Sequence, residues 1–145
     1  MPKKIHLTKV KMEGFTSCEK LKVIDMLVNE TILLKDNENK ELLNSAISWV
    51  FTGMIGKSVL AKNCSKAVVK VYFVDENNKE GVLERSYSKT SGFSLILDNQ
   101  KINQKILGYL LDIEHFLDFN LYNFLKKRKE LYNRRAKSEQ LQEIQ

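Results

Sequence analysis

The segment at residues 31–53, TILLKDNENKELLNSAISWVFTG, constrains the fold more than any other stretch of this chain. TILL is a short, continuously apolar run, which is typical of a strand buried on both faces. Asp36 or Asn37 can cap a helix whose apolar residues recur every three to four positions, and Gly53 and Gly56 can end it. These apolar residues are Leu42, Leu43, Ala46, Ile47, Val50 and Phe51. The segment predicts a strand–loop–helix unit like that around a P-loop, although its loop contains no glycine.

The rest of the chain predicts a sheet and two further helices. KIHLTKVKM and KLKVIDML form an antiparallel pair turning through Gly14–Ser17, KAVVKVYFVDENNKEGVLERSYSK forms a hairpin, and GFSLILD adds a strand followed by a turn at NQ. Asn103 caps a short helix, and Asp112 or Glu114 opens a last one. The short helix carries Ile106, Leu107, Leu110 and Leu111 on one side. We therefore predict an α/β (α+β) fold: a mixed sheet with antiparallel hairpins, a P-loop-like strand–helix unit and a long basic C-terminal helix.

Charge and hydropathy narrow the class of protein. The chain has 145 residues, enough for one domain, and a net charge of +6. Seven basic residues and one acid lie between residues 126 and 137, so the basic character belongs mainly to the C-terminal end. No apolar run reaches the roughly 18–20 residues that span a bilayer, and no signal peptide is evident. Cys18 and Cys64 lack metal-ligand spacing, so we expect reduced thiols in a cytoplasmic protein with no membrane partner.

Three stretches carry a resemblance to a known family. They are MEGFTS at residues 12–17, NKELLNSAISWVFTG at residues 39–53 and ILGYLLDIEHFLDFNLYNFLKKRKE at residues 106–130. In order and spacing they resemble the N-terminal half of the ATPase head of SMC-type proteins, a group that includes SbcC-like and RecN/RecF-like DNA-repair ATPases. The resemblance implies a half-head domain at residues 1–125 and a basic helical tail at residues 126–145, the start of a would-be coiled coil.

The P-loop is where the sequence departs from that family. A Walker motif needs glycines because its backbone wraps closely around a phosphate. The resemblance places Lys40 at the phosphate-binding lysine and Glu41 at the hydroxyl that would hold Mg²⁺. Leu34 and Asn39 stand at the two motif glycines, and Asn37 at a further one. Because the carboxylates of Glu38 and Glu41 would repel a polyphosphate, we expect Lys40 to be a vestigial nucleotide ligand.

No other catalytic set is evident. His6 and His115 are isolated, and no serine or cysteine has a sequence-evident base. The glutamine that follows the leucine-rich helix in the family has no counterpart in DFNLYNFLKKRK, and the signature motif and Walker B acids belong to a C-terminal half that the sequence does not contain. We therefore expect no enzyme activity, no catalytic residues, no metal and no cofactor.

Two features point to binding partners. Half of a head would expose apolar edges and faces, so we expect a homodimer or a hetero-complex, with an apolar stripe as its interface. The stripe comprises Phe116, Phe119, Leu121, Tyr122, Phe124 and Leu125; the alternative is that it belongs to the domain's own core. The basic strip suits a nucleic-acid backbone, or is the solvated start of a coiled coil. It comprises Lys126, Lys127, Arg128, Lys129, Arg134, Arg135 and Lys137.

Three functions remain open at this point. The first is a non-catalytic SMC-like protein of DNA metabolism that binds DNA, a protein partner or both. Such a protein could originate from a phage or a mobile element. The second is a decoy or regulator that docks onto a complete SMC- or SbcC-like ATPase. The third is an ATPase half that a second chain completes.

Overall fold

A six-stranded antiparallel sheet forms the framework of the molecule. The computed structural model describes residues 4–26 and 37–111. The strands are β1 (Ile5–Glu13), β2 (Lys22–Asp25), β3 (Lys66–Asp75), β4 (Glu80–Ser88), β5 (Gly92–Leu97) and β6 (Gln100–Lys101), and the helices are α1 (Asn37–Thr52) and α2 (Gln104–Leu110). The strand order is β2-β1-β3-β4-β5-β6, and each described pairing is antiparallel. The α+β prediction with antiparallel hairpins is confirmed.

The β3–β4 hairpin follows from alternation of apolar and polar residues. In β3 the residues Ala67, Val69, Val71 and Phe73 face inward and are buried, whereas the residues between them stay partly exposed. The predicted DENNKEG turn is present. The carboxylate oxygen Oδ1 of Asp75 accepts hydrogen bonds from the amides of Asn77 at 2.8 Å and Lys79 at 2.9 Å, and this bonding closes the turn.

Strand β1 joins the sheet through a bulge. Its pairing with β3 shifts register between Leu7 and Lys9, which leaves Thr8 as the extra residue. Beyond the bulge Val10 and Met12 are fully buried, while Lys9 and Lys11 lie on the outer face of the sheet. The bulge therefore decides which side chains of β1 face the core.

Helix α1 packs its apolar side on the inner face of the sheet. All six apolar residues expected on that side are buried, which confirms the periodicity. Trp49 is also fully buried, and its ring stacks on Phe15 with the centroids 5.2 Å apart. The helix ends at Gly53, whose φ is +76° and whose amide donates to the carbonyl of Trp49 at 2.7 Å.

Helix α2 is shorter and less buried than its sequence suggests. Asn103 caps it as predicted, because its side chain accepts a hydrogen bond from the amide of Ile106 at 2.8 Å. Of the four apolar residues expected on one side of this helix, Leu107 and Leu111 are buried, whereas Ile106 and Leu110 are 42% and 40% exposed. The helix has seven residues, about two turns, and Leu107 is the one of them that is buried. The turn before β6 also lies one residue earlier than NQ, at Asp98 and Asn99, which both have positive φ.

Some predictions fall on residues outside the described ranges. They are the TILL strand at residues 31–34, the last helix opened by Asp112 or Glu114, and the domain boundary at residues 125 and 126.

Candidate functional site

The first candidate site is the beginning of α1. The helix starts at Asn37, so Asn37 and Asn39, which stand at glycine positions of the Walker motif, have helical backbone. Lys40 is the fourth residue of the helix and is half-buried, and Glu41 is exposed. Backbone in the helical conformation cannot also form the glycine-rich loop that a Walker motif requires. The backbone at these positions is therefore a helical turn, not a loop wrapped around an anion.

A polar side chain lies one turn further along α1. The amide oxygen Oδ1 of Asn44 is buried and has no hydrogen-bond donor within residues 4–26 and 37–111. Asn44 follows Lys40 by four residues, so the two share one side of the helix. The beginning of α1 thus combines an ammonium group, an exposed carboxylate on Glu41 and a buried amide oxygen.

The other end of α1 is held by a buried arginine. Arg85 of β4 is 8% exposed, and its Nε donates to the carbonyl of Val50 at 3.1 Å. Its Nη2 donates to Oε1 of Gln104, and Nε2 of Gln104 donates to the carbonyl of Phe51 at 2.7 Å. Burial lowers the pKa of the Arg85 guanidinium from its ordinary value. This network connects β4, α1 and α2, and it places a cation at the negative end of the helix dipole.

The turn after β1 corresponds to the MEGFTS stretch and is tied to the loop before β3. The amide of Thr16 donates to the carbonyl of Val59 and that of Ala61 to the carbonyl of Gly14, both at 2.8 Å. Cys18 and Cys64 are half-buried free thiols. Burial raises the pKa of the Cys18 thiol, although Lys22 opposes that shift. A higher pKa makes the thiolate scarcer, so Cys18 is a weaker nucleophile than an ordinary thiol.

A second candidate site lies on the outer face of the sheet. The ammonium nitrogen Nζ of Lys9 is 4.4 Å from the ring centroid of Tyr72, and Nζ of Lys11 is 5.2 Å from the same centroid. Lys70 on the neighbouring strand forms an ion pair with Glu84 at 3.5 Å. Two cations thus converge on one aromatic ring beside a third that is already paired.

The remaining residues predicted to bind nucleic acid or a partner lie outside the described part of the chain. This holds for the basic strip at residues 126–137 and for the apolar stripe at residues 116–125. His6 is half-buried in β1, and His115 also lies outside the described ranges. Within residues 4–26 and 37–111, no cluster of His, Cys, Asp and Glu side chains has the grouping needed to hold a metal ion. In the same ranges no helix is long and apolar enough to cross a membrane.

Sequence reasoning missed the Arg85 network and the Tyr72 cluster. Arginine is rarely buried, but the alternation of β4 could have placed Arg85 on the same inward face as Leu83. Lys9 and Lys11 alternate with the apolar Val10, a pattern that could have placed both lysines on one face. Their convergence on Tyr72 depends on the pairing of β1 with β3, which has no local signal.

Solved structures share this fold. A chain from a study of the ATP-driven dimerization and DNA-stimulated activation of SMC ATPases has a TM-score of 0.60 and 19% identity, over 85% of this chain and 98% of that one. An SMC head bound to the C-terminal winged-helix domain of ScpA has a TM-score of 0.57 and 19% identity, over 80% of this chain and 41% of that one. The recombination mediator RecF has a TM-score of 0.57 and 13% identity, over 71% of this chain and 29% of that one.

These similarities define the class of fold. No protein-family model matches the sequence, and no curated protein is significantly similar to it. The protein has an SMC/RecF-type ATPase-head-like fold, as the resemblance of its sequence implied. It corresponds to less than half of the SMC head bound to ScpA and of RecF, but to nearly all of the first SMC chain.

Proposed function

We propose that this protein is a non-catalytic SMC-like domain that binds DNA, a protein partner or both in DNA metabolism. It holds partners on an inherited ATPase-head framework and does not hydrolyse nucleotide. Lys40 is then a vestige of a phosphate ligand, the basic strip at residues 126–137 is the surface for DNA, and the apolar stripe at residues 116–125 is the surface for a protein partner. That partner is a second copy of the chain or an SMC- or SbcC-like ATPase.

The beginning of α1 is the observation that carries this proposal. Phosphate binding by a P-loop depends on backbone amides that converge on the anion from a glycine-rich loop. Asn37 and Asn39 belong to the helix instead, so neither position supplies the glycine backbone of such a loop. The exposed carboxylate of Glu41 adds a negative charge where a small hydroxyl would bind Mg²⁺.

The direct test is calorimetric titration of the protein with Mg-ATP. We expect no binding heat at nucleotide concentrations up to the millimolar range, because the Glu41 carboxylate repels a triphosphate and no glycine-rich loop is present to wrap it. Lys40→Ala should give the same flat titration as the unmodified protein. Saturable binding that Lys40→Ala abolishes would contradict the proposal.

The basic strip is tested by DNA binding as a function of salt. Reversal of Lys126, Lys127, Lys129 and Arg134 to glutamate should abolish binding to a duplex oligonucleotide and flatten its dependence on salt concentration, since each phosphate contact contributes about one unit to that slope. The matched control also reverses four residues, the exposed lysines Lys57, Lys62, Lys79 and Lys89 elsewhere on the chain. Equal loss in both variants would mean that net charge, not the strip, attracts DNA.

One observation favours a second candidate, an ATPase half that another chain completes. The first SMC chain is covered over 98% of its length, so that chain is about as long as this one, and its study concerns ATP-driven dimerization. This candidate requires the present chain to bring nucleotide to the shared site. The same Mg-ATP titration, repeated with a candidate partner present, separates the two: binding heat only in the mixture would favour completion by another chain.

A further inference from the structure

The outer face of the sheet carries two lysines of β1 beside one tyrosine ring. Lys9 and Lys11 both direct their ammonium groups to the ring of Tyr72, and neither forms an ion pair within residues 4–26 and 37–111. Lys70, their neighbour across the strand pair, is matched by Glu84. Lys9, Lys11 and Tyr72 are all partly exposed, so solvent and a binding partner can reach them. Two positive charges are therefore available at one place on this face.

The spacing of the two charges matches that of an extended peptide. Successive residues of a strand rise about 3.3 Å, so Lys9 and Lys11 are anchored about 6.6 Å apart on the same face. Side chains at alternate positions of an extended peptide have the same separation and the same direction. Two acidic residues separated by one residue can thus place one carboxylate near each ammonium group.

Apolar surface beside the lysines suits a peptide backbone and aliphatic side chains. Val23 of β2 is opposite Lys11 in register and is 50% exposed. Val82 of β4 is opposite Tyr72 and is also partly exposed. A bound peptide could cover these side chains while its carboxylates meet the lysines, which combines burial of apolar area with charge complementarity.

A nucleic-acid backbone fits the same face less well. Asp25 of β2 is opposite Lys9 in register. A row of phosphates carries a charge at every unit and would meet the Asp25 carboxylate as well as the lysines, whereas a peptide can place an uncharged residue there and cover Val23 and Val82. We propose that Lys9, Lys11 and Tyr72 form a docking site for an extended acidic segment of a partner protein. This site goes beyond the proposed function, because it uses neither the basic strip nor the beginning of α1.

The test is fluorescence anisotropy with a labelled peptide of alternating glutamate and valine, titrated with the full chain at low salt. We expect saturable binding that weakens as salt is added. The double variant Lys9→Gln/Lys11→Gln should bind the peptide about tenfold more weakly. Each exposed ion pair raises the affinity by up to about fivefold, and this variant removes two of them. Lys57→Gln/Lys62→Gln removes two exposed lysines from the loop before β3 and should bind as the unmodified protein does.

Three results would overturn the inference. The first is the absence of binding at millimolar protein, and the second is equal binding by both double variants. The third is a single- or double-stranded oligonucleotide that displaces the peptide and depends more strongly on Lys9 and Lys11, which would make the face a nucleic-acid surface. A peptide with glutamine in place of glutamate separates charge recognition from apolar contact. Circular dichroism of each variant shows that the sheet is intact.

Discussion

Gly14→Ala should destabilise the protein by about 3 kcal/mol or more, enough to unfold a marginally stable domain. Gly14 has a φ of +66°, and a Cβ built on it would lie 2.1 Å from the carbonyl oxygen of Lys66. The contact is with backbone, so no side-chain rotation can relieve it. The turn after β1 and the start of β3 would have to separate, although the pairing of Glu13 with Val68 holds them together. Urea denaturation followed by circular dichroism measures the loss.

Gly92→Ala is the matched control. Gly92 has a φ of +76°, but a Cβ there would meet no atom within 4 Å. This substitution should cost only the left-handed backbone strain, about 1 kcal/mol. The difference between the two variants then measures the close approach to Lys66. Equal losses would show that backbone strain alone explains the effect at Gly14.

Arg85→Met should destabilise the protein by roughly 2–4 kcal/mol. The substitution keeps the aliphatic length of the side chain but removes the donors to the carbonyl of Val50 and to Oε1 of Gln104. Each buried acceptor left without a partner costs about 1–3 kcal/mol. The unfolding midpoint in urea should fall, and near-ultraviolet circular dichroism of the buried Trp49 should report any loosening of the last turn of α1.

Two companion variants make that result specific. Lys70→Met removes an ion pair on the outer face, where the Lys70 side chain is 42% exposed, and should change stability by less than about 1 kcal/mol. Gln104→Ala should show coupling with Arg85→Met, so that the double variant loses less than the sum of the single ones. If the Arg85→Met protein is as stable as the Lys70→Met protein, the hydrogen bonds of Arg85 do not stabilise the fold.

Local patterns predicted those elements whose determinants are near in sequence. The β3–β4 hairpin and the cap at Asn103 follow from residues within a few positions of each other, and the buried side of α1 follows from its periodicity. The bulge at Thr8 and the exposed side of α2 could not be predicted in this way. Both depend on where distant strands lie, and a pattern of apolar residues does not record that information.

The candidate sites also differ in whether nearby residues of the sequence reveal them. Lys40 was found because the resemblance aligned the start of α1 with a known motif, and the structure adds that the helix begins three residues before it. Arg85 was missed because a basic residue in a strand is expected on the exposed face, while its burial arises from the carbonyls at the end of α1. Tyr72 was missed because its two lysine neighbours come from a strand more than 60 residues earlier.

The strand order also sets a sequence of events during synthesis. Strands β3 to β6 follow one another along the chain, so each can pair as soon as it leaves the ribosome. Strand β1 ends at Glu13 and must wait for β3, which begins at Lys66. At about 5–20 residues per second, that interval lasts roughly 3–10 s. For those seconds β1 can pair only with the four-residue strand β2, so most of its apolar side stays uncovered and the nascent N-terminal segment is exposed to aggregation unless a chaperone covers it.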